Sequence, residues 1–155
     1  MRRNDREITD RQVIAAFLSA EQILRVAFYD DGDIYIVPVN YGWCEENGRI
    51  CFYFHGAKAG RKYTLAQQTP KVGFEIDGRY ELLPAETGCG HSAKYRSVIG
   101  TGTVRIADDP AERQKGLACI MKQATGKADW HYDAAALEKT AVFRLDAETL
   151  SCKAK

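Results

Sequence analysis

Apolar and polar positions along the chain follow two periods, and the switches between them outline the elements. Thr9 followed by Gln12 fits a capping box, and Val13, Ile14, Phe17 and Leu18 then recur on one face, so the spacing predicts a helix ending near Ala20. Residues 23–29, 34–43 and 49–55 are rich in β-branched and aromatic side chains and read as strands. Asp31-Gly32 and Asn47-Gly48 separate them with residues that tolerate positive φ, which predicts two tight hairpins and an antiparallel meander. A small-residue turn, residues 56–60, leads into a short helix over 61–68 that Pro70 stops.

Residues 71–77 alternate as a strand, whereas 78–92 hold three glycines and no period and read as loop. The longest predicted strand is 94–107, in which Gly100 and Gly102 suggest a bend or bulge of the sort barrel closure uses. Asp109, Pro110 and Glu112 then start a helix whose buried stripe is Leu117, Ile120, Met121 and Ala124, with Gly126 placed to end it. After an irregular stretch containing Trp130 and His131, a strand over 140–146 and a weaker one near Leu150 finish the chain. Six or seven strands with two or three helices and clustered hairpins favour an antiparallel barrel over a parallel sheet.

Composition narrows the function classes. The 155 residues fit one domain, 1–155. With 22 basic against 21 acidic residues, the molecule projects no field toward nucleic acid or anionic lipid, so any anion site must be a local cluster. The start carries no apolar run of the kind a secretory signal needs, and the longest one, 13–18, is far short of the ~20 residues that span a membrane, so a cytoplasmic protein without membrane insertion is expected. Cys44, Cys51, Cys89, Cys119 and Cys152 form no CxxC pair and read as reduced thiols. Cys89 and His91 offer half of a metal site with no second ligand pair, and no metal is expected.

The chemistry concentrates at Tyr53-Phe54-His55-Gly56-Ala57-Lys58-Ala59-Gly60-Arg61-Lys62, where a strand ends, glycines turn the chain and a helix begins. Cations at a helix N-terminus oppose the helix dipole, an arrangement that a bound anion would reverse. A phosphate would satisfy Lys58, Arg61 and Lys62 together; a solvated basic turn is the other reading. His55 is either a proton donor or a packing residue at a strand end, and Trp43, Tyr53 and Tyr95 are either core or stacking platforms.

Gly60-Arg61-Lys62 after a strand and a small-residue turn, then Leu65 and Thr69-Pro70-Lys71-Val72-Gly73-Phe74, resembles the phosphate-gripping segment of the pyridoxamine 5′-phosphate oxidase family of FMN-binding split barrels. Tyr95-Arg96-Ser97-Val98-Ile99-Gly100-Thr101-Gly102 is similar to that family's next long strand. Met1-Arg2-Arg3, residues 36–42, Tyr53-Phe54-His55 and Tyr95-Arg96-Ser97-Val98 resemble the nitroimidazole-resistance (Nim-like) branch more closely.

The resemblance implies a mainly β fold, a six- to seven-stranded antiparallel split β-barrel with flanking helices. It also implies FMN as cofactor, held at the two-fold interface of a homodimer. Arg61 and Lys62, with Gly60 in the same motif, match the phosphate site, and Lys58 joins them on charge grounds. Pro38, Val39 and Asn40 match the strand along the flavin ring, His55 and Gly56 match positions touching the cofactor, and Ser97 matches a polar contact. The implied function is an FMN-dependent oxidoreductase acting on a small electron-poor molecule, such as a nitroaromatic compound, with a nicotinamide donor. A non-catalytic flavin- or haem-binding barrel is the alternative. The C-terminal region has no match to the oxidase segment that binds pyridoxal phosphate, and Cys152-Lys153-Ala154-Lys155 departs from the Nim-like ending.

Overall fold

The computed structural model describes residues 4–155. Seven strands, β1 (Glu7–Ile8), β2 (Ile23–Asp30), β3 (Asp33–Glu46), β4 (Arg49–Ala57), β5 (Lys71–Leu83), β6 (Ser92–Ile106) and β7 (Thr140–Ala154), form one antiparallel sheet in the order β1-β7-β4-β3-β2-β5-β6. Because β6 also pairs with β7, strands β2 to β7 close into a ring of six, and β1 hangs on the end of β7. Four helices flank it: α1 (Arg11–Ala20), α2 (Arg61–Gln68), α3 (Pro110–Thr125) and α4 (Ala134–Lys139). None of them is long and apolar enough to cross a membrane.

Both hairpins form where turn chemistry places them. Asp31 and Gly32 take φ of 47° and 98°, and Asn47 and Gly48 take 51° and 76°, the left-handed pairs that match strand twist. Alternation then decides which side chains enter the barrel. Leu24, Val26 and Phe28 of β2, Phe52 and Phe54 of β4, and Phe143 and Leu145 of β7 are fully buried inside it. Each such burial contributes about 1.5–3 kcal/mol. Helix α1 adds Ile14, Phe17 and Leu18 to this core near the Asn47-Gly48 turn, where Arg11 donates to the Gly48 carbonyl. Helix α2 adds Leu65 and Ala66 at the other end, where Thr69 donates to the Tyr29 carbonyl.

A second cluster, Tyr53, Ala107, Leu117, Ile120 and Val142, lies outside the barrel under α3. Strand β4 is therefore covered on both faces, which explains its unbroken apolar run. Arg144 pins this side together, paired with Glu46 at 2.8 Å, Glu112 at 3.1 Å and Asp146 at 2.7 Å.

Several local expectations need correction. The cap of α1 is Asp10, whose carboxylate accepts from the N–H groups of Gln12 and Val13, and not Thr9. Residues 78–92 are loop only over 84–91: β5 runs on to Leu83 past a register shift between Gly78 and Glu81, pairing Leu83 with Ser92, where β6 begins. Gly78 marks an irregular ladder, which lacks the strict alternation that a sequence period detects, while Gly88 and Gly90 lie in the turn between the strands. Strand β7 is a single element whose register slips by one residue at Glu148, opposite Thr101 and Gly102, and the slip hides its continuity. Of the α3 stripe, Leu117 and Ile120 are buried but Ala124 is exposed, and Gly116 is the third buried position. Helix α4 and strand β1 are too short to show a period.

Candidate functional site

Strand β3 changes partner at its middle. Residues 33–40 pair with β2 and residues 41–46 with β4, so β3 and β4 part just beyond the Tyr41–Phe54 pair. Asn40 and His55 flank the parting, and Gly56 and Ala57 continue along β7 alone. Helix α2 bridges the groove that opens there. Arg61 donates from Nε to Asp30 Oδ2 at 2.5 Å on the β2 side and lays its guanidinium over the Tyr35 ring at 4.6 Å. Lys62 reaches the β4 side, donating to the His55 carbonyl at 3.1 Å with its ammonium over the rings of Phe54 and Phe143.

The electrostatics of α2 differ from those of the other helices. Asp10, Asp109 and Asp133 cap α1, α3 and α4 with carboxylates, whereas α2 starts on Gly60, at φ 92°, with no side-chain cap. Its start thus carries two cations and no carboxylate cap on its first-turn N–H groups. Burial pushes the Lys62 ammonium below the usual lysine range, and among the described residues no carboxylate lies within ion-pair distance of it. A half-buried cation without a counter-charge beside free N–H donors is chemically suited to a phosphate. Gly56 makes room for it: a Cβ there would stand 2.7 Å from Lys62 Nζ. His55 is open to solvent on one side, and desolvation first and the Lys62 charge second lower its pKa, so its imidazole is neutral at pH 7.

The structure gathers His55, Gly56, Gly60, Arg61 and Lys62 around the groove mouth, with Asn40 at its edge. Pro38 and Asn40 point outward from β3, while Val39 points into the core and offers only backbone. Lys58 turns away: it lines a small cavity of about 180 Å³ with Tyr63, Asp108, Arg113 and Thr140 on the α4 side. Ser97 is set between Asp77 and Lys153, far along the barrel from α2 within one chain.

Tyr53 is buried beneath α3, Trp43 bonds Ser19 near α1, and Tyr95 meets Arg6, so none of these three reaches the groove. The aromatic ring against Arg61 is Tyr35, which sequence reasoning missed, as it missed Asp30. No spacing rule links either residue to Arg61, because the sheet alone brings them together. Among the described residues no group of three or more potential metal ligands gathers. A cavity of about 480 Å³ lies remote from the groove, between α1 and the Asn47-Gly48 hairpin.

A ring of six antiparallel strands, split where β3 leaves β4 and bridged there by a cationic helix start, defines the class: a split β-barrel protein of the flavin-binding kind. The family model described as pyridoxamine 5′-phosphate oxidase matches residues 10–154, and the chain belongs to that family. A candidate 5-nitroimidazole antibiotic resistance protein from Bacteroides thetaiotaomicron has a similar structure, with a TM-score of 0.80 at 23% identity, covering 96% of this chain and 86% of that one. The flavocytochrome Anf3 from Azotobacter vinelandii superposes with a TM-score of 0.80 at 22% identity, covering 100% of this chain and 72% of that one. An FAD and heme binding protein from Mycobacterium smegmatis gives a TM-score of 0.79 at 18% identity, covering 97% and 73%. No curated protein matches the chain. Of the residues that resemble the Nim-like branch, Met1-Arg2-Arg3 lie outside the described residues.

Proposed function

We propose that the protein is an FMN-dependent oxidoreductase of the Nim-like type, acting as a homodimer on a small electron-poor substrate such as a nitroaromatic compound. The observation that carries this reading is the half-buried Lys62 ammonium beside the uncapped start of α2, at the mouth of the β3–β4 groove. A terminal phosphate dianion complements both, which favours FMN among flavins.

When bound, FMN supplies the electron transfer, from a reduced nicotinamide to the acceptor. Lys62, Arg61 and the α2 N–H groups hold the phosphate, and Gly56 and Gly60 keep the approach open. The edge formed by Pro38, Val39 and Asn40 orients the ring, and Ser97 is available to the ring of the second copy. His55, neutral at pH 7, holds a proton on one ring nitrogen and accepts one at the other. Lys58 contributes long-range charge rather than a contact.

Exposed isoleucines on the outer face support the homodimer. Ile34 and Ile36, 64% and 60% exposed, lie on the β3 segment that pairs only with β2, and Ile99, 51% exposed, lies on β6. The Arg25, Glu75 and Asp77 ion pairs stand between them, and a second copy would cover this mixed surface. Five free thiols accord with a reducing cytoplasm.

The test is anaerobic addition of reduced nicotinamide to the FMN-loaded protein. The flavin absorbance is expected to bleach and to return when a nitroaromatic acceptor is added. A spectrum unchanged by the donor would favour a flavin carrier, and a Soret band in the purified protein would favour a haem-binding barrel.

A further inference from the structure

We propose that Asp30 and Tyr35 are positioning residues that pre-set Arg61 for the cofactor's phosphate; this rests on the flavin-phosphate reading above. Arginine has a long side chain with many rotamers, and gripping an anion normally requires ordering it. Here that ordering is already done. Asp30 Oδ2 accepts from Nε alone, at 2.5 Å, and no described group bonds the two terminal nitrogens. The face of Tyr35, 4.6 Å from the guanidinium carbon, supports the guanidinium from its side.

The geometry distinguishes positioning from competition. A carboxylate acting as a stand-in for the phosphate would occupy the fork of Arg61, taking two nitrogens side by side. Asp30 instead holds the nitrogen nearest the chain and leaves the fork outward. Its place follows from the fold: Asp30 ends β2 at the first hairpin, Tyr35 is the third residue of the returning strand, and the Thr69 hydroxyl anchors the end of α2 to the Tyr29 carbonyl beside them. The hairpin and the helix start are thereby registered to one another, and the arginine fork is held over the groove mouth.

The test uses the full-length apo-protein titrated with FMN and with riboflavin, which differ only in the phosphate. The wild type is expected to prefer FMN, and Arg61→Ala to lose much of that preference. Asp30→Ala is expected to weaken FMN about three- to tenfold while leaving riboflavin affinity unchanged. Asp30→Asn, whose amide oxygen still accepts from Nε, is expected to restore most of the wild-type preference. Tyr35→Leu provides a second variant with the same expected direction, should Asp30→Ala fail to fold.

Unchanged or tighter FMN binding by Asp30→Ala overturns the positioning role, the latter by making Asp30 a competitor. Equal losses in the alanine and asparagine variants also overturn it, because charge rather than the Nε hydrogen bond would then be responsible. Equal wild-type affinity for FMN and riboflavin would instead overturn the underlying phosphate assignment, and this proposal with it.

Discussion

Lys62 sets the character of the site at the scale of single residues. Its ammonium is stabilised by the His55 carbonyl and by the faces of two phenyl rings, partners that bring no negative charge. Burial therefore lowers its pKa from 10.5. The sign follows directly: as pH rises through the lowered value, the amine becomes neutral and its attraction for a phosphate disappears. FMN affinity is expected to fall on going from about pH 7 to about pH 10, before an ordinary lysine would titrate, while riboflavin affinity holds level. Titration by flavin fluorescence checks this, and parallel curves for the two ligands would remove Lys62 from the phosphate site. A bound dianion works in the opposite direction, raising the Lys62 pKa and restoring its charge.

The caps and close approaches of whole elements explain why the start of α2 is left uncapped while α3 is held at its start and along its length. Helix α3 is held by Asp109 at its start, by Arg144 through Glu112, and by a backbone approach in which Gly42 of β3 lies directly under Cys119. A Cβ at Gly42 would stand 2.1 Å from the Cys119 carbonyl carbon, which is main chain and cannot swing aside. Gly42→Ala is expected to cost about 3 kcal/mol by forcing α3 off the barrel. The urea midpoint reads this loss, and a variant as stable as the wild type would show that α3 slides freely.

Much of this scale was legible in advance. The α2 bounds, the proline that stops it, the Gly126 end of α3 and both hairpins follow from local chemistry, since each depends on residues within a few positions. Strand β5 beyond residue 77 and the continuity of β7 were not legible, because a bulge or slipped register breaks the two-residue period on which the reading depends.

For the molecule as a whole, closure of the ring leaves several isoleucines exposed on its outer surface. Ile36 on β3, opposite Ala27, is 60% exposed on the segment that pairs only with β2. Ile36→Asp is expected to yield a folded monomer by light scattering, with FMN affinity reduced at least about tenfold, since an interface site is incomplete in one copy. A dimer that survives the substitution would place the interface elsewhere.

The candidate site divides along the same line as the fold. His55, Gly56, Gly60, Arg61 and Lys62 could be named from the chain because one strand end, one turn and one helix start carry them in succession. Asp30 and Tyr35 could not, nor could the turning away of Lys58. Local order in the sequence determined the hairpins, the helix stops and the cationic segment, because turn, cap and periodicity preferences act over a few residues. Tertiary structure alone decided where β3 leaves β4, which carboxylate meets Arg61 and which isoleucines stay exposed. Those outcomes depend on strand register across the closed ring, a property of residues far apart in the chain.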